Sequence, residues 1–476
     1  MILQSAKYVV GRVVPGLVNL LALGIYTRLL LAEDYGRYAL ILTGVGLTNA
    51  IVFQWLNLSL LRFLPSLGDR LLPTAIRAFL MLLAATSVLS VVAMGVTWGG
   101  NMPAVIALMT MMTWSQAWFD FNLSVVNSRQ FAIRHGLISS LKAVIGLGLS
   151  VALIRSGLGA TGIVVGLSTA LLVASTGSGL RLRDIQLGKA EPDVLGDLFR
   201  YGVPLSLTFV LSLLIDATNR FMLQHFHGIS TVGAYSAPYD LTNQSLGVLL
   251  SAIHLAAYPA LLQTFESAGE SAALTRMPTI FNTLLMIALP ACAFTILFPE
   301  TIAEVALGRD FQSSAVALIP YIAVIVSVWG FRSFYIDYAF LVKKRTLVQM
   351  LPVLFSCLLN AALNLVLIPT FGLMGTVYST LAAVVTGTVL AYALGSRYLQ
   401  YPAPGIDAIK IVVGVAVMAM VSGLAISLEG AAGLATQLIL AGSSYAIALI
   451  VTDAMGMRSR ALDAYSLFIT NRRTPP

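Results

Sequence analysis

Apolar stretches of about 20 residues, each long enough to cross a hydrocarbon core about 30 Å thick, recur along nearly the whole chain and leave it few folds. In lipid every backbone N–H and C=O must find an internal partner, so only helices and closed barrels can cross. The alternating ten-residue pattern of a barrel is absent here, which leaves helices. Of the 476 residues, 58% are hydrophobic and 10% charged, against about 25% charged in a soluble domain. Fourteen spans are expected: 8–30, 37–61, 74–98, 103–127, 137–155, 159–180, 201–224, 233–262, 279–299, 313–341, 347–368, 372–396, 406–428 and 433–455. The breaks fall on turn chemistry, at Gly99-Gly100-Asn101-Met102-Pro103, Ser156-Gly157, Pro369-Thr370-Phe371-Gly372 and Tyr401-Pro402-Ala403-Pro404-Gly405.

The chain also writes part of itself twice. Pro15, Arg28, Tyr35-Gly36-Arg37-Tyr38 and Leu64-Pro65 recur as Pro204, Arg220, Val232-Gly233-Ala234-Tyr235 and Tyr258-Pro259, between 189 and 197 residues further on. Gly159-Ala160-Thr161-Gly162 is echoed by Gly372-Leu373-Met374-Gly375. Six spans separate the echoes, so the halves have the same orientation and form a parallel repeat about an axis along the membrane normal, the usual build of a secondary transporter. The expected organisation is a six-helix half at 1–180, a cytoplasmic linker at 181–200 rich in both charges, and a second half at 201–396. Two additional helices follow within 397–455, and a cytoplasmic tail at 456–476.

The basic residues orient this map. Of 28 Lys and Arg, 22 fall on the side of the N-terminus, and Arg28, Arg37, Arg155 and Arg309 fall on the other. Arg220 and Arg332 lie inside spans. That bias places both termini in the cytoplasm, and the net charge of +8 is then an orientation signal rather than a nucleic-acid footprint. The first apolar run follows Lys7 and Arg12 without a small-residue cleavage site and is expected to be a retained helix. Cys292 and Cys357 lie in apolar segments without metal-ligand spacing and read as packing residues. No cofactor or metal is expected.

Several stretches resemble a known family. Thr27-Arg28-Leu29-Leu30-Leu31-Ala32-Glu33-Asp34-Tyr35-Gly36-Arg37-Tyr38 resembles the first outer turn of Wzx-type polysaccharide repeat-unit flippases. The block from Tyr201-Gly202-Val203-Pro204 through Asn219-Arg220-Phe221 to Val232-Gly233-Ala234-Tyr235 does the same. Leu363-Asn364 through Ile368-Pro369-Thr370-Phe371-Gly372-Leu373-Met374-Gly375-Thr376 is similar to an element of the wider superfamily, which includes multidrug exporters and the peptidoglycan lipid flippase. The resemblance covers about residues 5–400. It implies alternating access by the two halves, moving an undecaprenyl-pyrophosphate-linked oligosaccharide across the bacterial inner membrane for surface polysaccharide assembly. The implied partners are that lipid-linked oligosaccharide, membrane lipids and other polysaccharide assembly proteins, with no nucleic acid. Family members often carry Asp before the Arg of the seventh span, where this chain has Asn219, with Asp216 one turn earlier.

Such a substrate has a polar head that cannot cross hydrocarbon unaided, and its pyrophosphate suits the planar fork of arginine. Charge inside a span is costly and faces a cavity or a partner. Arg220 and Arg332 are therefore the candidate pyrophosphate ligands. Arg62, at the cytoplasmic end of the second span, is a further candidate for binding substrate, or it snorkels cheaply to the surface. Asp216 and Arg220 share a helix face at i,i+4 and read either as a cavity arginine held by its acid or as a self-neutralising pair. Asp240 is a further intramembrane acid, while Asp120 and Asp337 occupy matching fourth spans and read as structural caps or as ion-coupling groups. Asn19, Asn57, Asn219 and Asn243, with Gln54 and Gln244, can bind sugar hydroxyls or bond helix to helix. Trp114, Trp118 and Trp329 can stack on sugars or pack in the core, and His254 reads as a hydrogen-bonded packing residue.

Two other classes compete. An ion-coupled multidrug exporter of the same superfamily would keep a central carboxylate and usually twelve spans. A membrane-embedded polysaccharide polymerase or ligase would carry a sizeable external loop, whereas the longest outer connection here is about 299–312. There is no paired-carboxylate motif, nucleophile elbow or phosphate loop, so the chain reads as a transporter and not an enzyme.

Overall fold

The computed structural model describes residues 2–97, 102–178, 191–423 and 430–459, with side chains from Val14 onward apart from Asp69. Gly99-Gly100-Asn101, the linker residues 181–190, the end of the thirteenth expected span and the tail beyond 459 lie outside the described residues, as do the side chains of Lys7 and Arg12.

The protein is an all-helical integral membrane protein. The first helices are α1 (Ile2–Leu29), α2 (Ala32–Val52), α3 (Gln54–Leu67), α4 (Leu71–Val96), α5 (Met102–Ser128), α6 (Ala132–Leu153) and α7 (Gly159–Ser175). Then come α8 (Pro192–His227), α9 (Ile229–Leu297), α10 (Pro299–Ala306), α11 (Arg309–Phe331) and α12 (Tyr338–Val342). The series ends with α13 (Thr346–Phe371), α14 (Leu373–Gly395), α15 (Ile406–Gly423) and α16 (Gly430–Val451). Among the described residues nine helical segments are long and apolar enough to cross a membrane, or ten when the bent α2–α3 pair is counted as one.

Three breaks differ from the simple span map. α2 and α3 form one span bent by 50° at Phe53, where neither Gly nor Pro stands; instead Phe53 is buried with its ring 5.5 Å from Phe79. α9 runs through the expected eighth and ninth spans and turns only at Gly269, whose φ of 81° favours glycine. The expected linker is also shorter than read. α8 begins at Pro192, because proline at the first turn needs no N–H partner and Asp193 suits the helix N-terminus.

By contact the chain divides into two compact units. The first comprises residues 1–237, 308–311 and 350–383, and the second comprises 238–307, 312–349 and 384–476. In the first unit α1 packs on α6, α5 on α7, and α2 and α3 on α8. Lipid gives helices no hydrophobic drive to associate, so close packing must supply it. It does so around Phe79, whose ring centroid lies 5.7 Å from Trp118 and 5.1 Å from Phe121, contacts of about 0.5–1.5 kcal/mol each. In the second unit the two additional helices pack together, with Ile411, Met418 and Tyr445 buried against Leu285, Met286 and Phe294 of α9. Tyr445 donates to the Met286 carbonyl at 2.9 Å, and the Gly430 amide to Glu304 at 3.1 Å.

Candidate functional site

Arg220 sits on α8, two turns from the end of that helix, and is half-buried. Its Nε donates to Ser236 Oγ at 3.0 Å and its Nη1 to Thr43 Oγ1 at 3.1 Å. The guanidinium thus reaches α2 from the first sequence half and α9 from the second. Asp216, one turn before it, and Asp240 are half-buried.

One residue away the side chain has a different fate. Asn219 is fully buried, and so is not an amide open to sugar. Its Nδ2 donates to Thr380 at 2.9 Å and Tyr235 at 3.3 Å, while its Oδ1 accepts from Asn364 at 2.8 Å. Asn360 donates to Thr380 at 3.2 Å and accepts from Asn364 at 3.0 Å, and Ser379 donates to Asn364. Asn360 and Asn364, at i,i+4, share one face of α13, and the network ties α8, α13 and α14 together. Burial of these groups is tolerable because each amide is engaged.

Arg332, in the second unit, is not open to a cavity either: it is 4% exposed. Its Nε lies 3.7 Å from Asp337 Oδ1, and Asp337 Oδ2 accepts from Gln349 at 3.3 Å. In a regular α-helix residues five apart point about 140° away from one another. Residues Arg332–Ile336 form a π turn, with the Asp337 amide bonded to the Arg332 carbonyl at 2.9 Å. The extra residue in that turn swings Asp337 back onto the arginine's side.

Asp120 in the first unit is likewise engaged by its own helix, accepting from Gln116 Nε2 at 2.9 and 2.8 Å. Lys142 acts on it electrostatically from α6 and lies 5.6 Å from the Phe119 ring. Lys142 is ten residues inside α6, because that helix begins at Ala132 rather than at 137, the expected start of the fifth span. Arg62, Asn19 and Asn243 are exposed, whereas Asn57 is buried. Trp118 stacks on Phe121, Trp114 donates to Thr86 at 3.2 Å, and Trp329 meets Phe334 edge-on. His254 bonds the Tyr338 hydroxyl through Nδ1 at 2.9 Å. Among the described residues no group of three or more His, Cys, Asp or Glu could hold a metal ion.

The echoed glycines meet. A Cβ on Gly36 would strike the Ile229 carbonyl and approach the Gly233 amide, and a Cβ on Gly233 would strike the Ala32 carbonyl and approach the Gly36 amide. Each glycine thus touches the other and the residue four before it, a reciprocal crossing of α2 and α9. Close by, the Gly308 amide donates to Thr27 Oγ1 at 3.1 Å, and Tyr35 meets Phe311 edge-on at 5.5 Å. At the opposite end of α8, Ser59 donates to the Leu198 carbonyl at 2.6 Å, with Trp55 against Phe199 and Phe63 against Tyr201.

The family described as polysaccharide biosynthesis protein matches residues 25–316, which include Gly36, Arg220 and Gly233. The chain belongs to this family. No curated protein sequence matches it. Among solved structures it is similar to the lipid II flippase MurJ in an inward closed conformation, at 13% identity and TM-score 0.75, covering 95% of this chain and 99% of that one. It is also similar to an inward-facing multidrug resistance MATE family transporter of the MOP superfamily (16% identity, TM-score 0.60, 82% and 97% covered). A MOP superfamily transporter from Pyrococcus furiosus gives 14% identity and TM-score 0.59, with 83% and 94% covered. This polysaccharide biosynthesis family member thus has the fold of the MOP-superfamily transporters.

Proposed function

We propose that the protein is a flippase of the bacterial inner membrane that carries an oligosaccharide linked to a polyprenyl pyrophosphate to the outer leaflet, for surface polysaccharide assembly. The observation that carries the reading is Arg220, a permanent cation inside a span, half-buried and reaching hydroxyls on helices from both sequence halves. A guanidinium held by hydroxyls can exchange those bonds for the two oxygens of a phosphate, a stronger charge-assisted pair. Arg332 is 4% exposed while Arg220 is half-buried, so the phosphate contact falls to Arg220, the one of the two that a ligand can reach. The longer match to the lipid II flippase, 95% of the chain against 82% for the multidrug transporter, supports lipid-linked substrate over drug.

The halves at 1–180 and 201–396 alternate access around that arginine, with fourteen spans, cytoplasmic termini and the additional helices as an appendage. The Gly36–Gly233 crossing closes the outer end of the path. Because lipid, sugar and pyrophosphate leave chemically unchanged, no catalytic group is required. The test is polysaccharide complementation in a flippase-deficient strain with membrane abundance measured in parallel. Arg220→Ala should insert normally and fail to complement; full complementation would remove Arg220 from the path. Cysteine labelling should place Ala268 and Thr346 inside and Ser230 outside, all three exposed in the fold. Labelling of Ala268 from outside would overturn the orientation.

A further inference from the structure

A flippase faces a second recognition problem that the head group does not exhaust, because the tail of its substrate has to stay in an apolar environment while the head is in the polar path. The first unit contains a cavity of about 460 Å3 whose lining is almost wholly apolar. Leu214, Ala217 and Phe221 supply one stripe of α8, at helical spacing, with Phe226 beyond them; Leu47 of α2 and Leu365 of α13 complete the walls. Three features separate it from an ordinary greasy surface. It lies where a helix of the first sequence half meets two of the second, so a chain lying in it passes between the halves rather than around the outside. It begins one turn from the polar contact, since Leu47 follows Thr43 by four residues on the same face of α2. Its lining includes two polar side chains, Thr218 and His225, on an otherwise apolar wall.

We infer that this cavity is the seat for the proximal isoprenoid units of the lipid tail, held while Arg220 holds the phosphate. The inference rests on the flippase reading and adds where the tail goes. An anionic group followed directly by a branched hydrocarbon chain matches a cation followed directly by an apolar slot. The exposed Phe221 and Leu365 side chains leave the seat open on one side, as a tail much longer than the cavity requires.

The experiment is photo-cross-linking in proteoliposomes of phosphatidylethanolamine and phosphatidylglycerol. p-Benzoylphenylalanine is placed at Phe221, at Leu365 and, as a control, at Leu89, an exposed residue of α4 outside the cavity. The probe is a radiolabelled long-chain polyprenyl diphosphate. Adducts should form at Phe221 and Leu365 several-fold above Leu89, and unlabelled polyprenyl diphosphate should suppress them where an equal excess of phosphatidylglycerol does not. Adding Arg220→Gln should lower the adduct at Leu365 several-fold. Equal labelling at Leu89, or equal suppression by phosphatidylglycerol, would mean that the cavity holds bulk lipid and would overturn the inference. Labelling indifferent to Arg220→Gln would overturn the link between head and tail. The two readings fail separately: lost complementation by Arg220→Ala with no cavity labelling sinks only the tail seat, and retained complementation with specific labelling sinks only the role of the arginine.

Discussion

Arg220 and Arg332 are equally conspicuous in sequence, each an arginine inside an apolar span with an acid four or five residues away, yet they differ in surroundings. Arg220 is half-buried and reaches the hydroxyls of Thr43 and Ser236 on two other helices. Arg332 is 4% exposed and meets Asp337 on its own helix through a π turn. The first is partly open, so a ligand can reach it. The second is closed off and committed to Asp337, which lets one helix carry two charges that cancel. An intramembrane arginine therefore signals function only when its surroundings leave it within reach.

The contrast breaks most sharply if the committed pair can be split at no cost. Asp337→Ala leaves Arg332 buried without its carboxylate, a loss of about 3–5 kcal/mol, so membrane abundance should fall severely by quantitative blotting. The double change Arg332→Met with Asp337→Leu should restore abundance, because neutral residues of similar volume avoid the desolvation penalty. Normal abundance of the single variant would show that the pair carries no weight. Next in size is Arg220→Ala, which should keep abundance and lower transport about 10- to 100-fold, the worth of a charged hydrogen bond of about 1.5–3 kcal/mol. Arg220→Lys should recover only part of this, since an ammonium lacks the bidentate fork. Gly36→Leu should cost about 1–3 kcal/mol through overpacking and raise labelling of a cysteine at Thr27, which is buried against Gly308. The smallest expected effect is Ser236→Ala, removing one hydrogen bond of about 0.5–1.5 kcal/mol. Transport should change about two- to tenfold at most, with no change in abundance.

The helical architecture was legible because a span must be long and apolar, and those demands act along the sequence. Arg220 stood out as a candidate because it is a charge where charge is expensive. The fate of Arg332 was hidden, since the 3.6-residue period sets it and Asp337 on different faces and nothing in the residues announces a π turn. Asn219 was left open between sugar and a neighbouring helix for another reason. Its partners Asn364 and Thr380 lie 145 and 161 residues away, so whether its amide faces sugar or protein is decided by tertiary packing. The i,i+4 spacing of Asn360 and Asn364 was a signal that could have flagged a polar face on α13. The bend at Phe53 had none, because neither Gly nor Pro marks it.

The reciprocal contact of Gly36 and Gly233 has the form of an isologous dimer interface, in which residue i of one subunit meets j of its partner and j meets i. Here both sides belong to a single polypeptide. A side chain added at Gly36 would strike the backbone beside Gly233, and one added at Gly233 would strike the backbone beside Gly36. Each glycine is held in place by its counterpart. A substitution at one is therefore never relieved by keeping the other, and the two positions are bound to a common fate although 197 residues separate them.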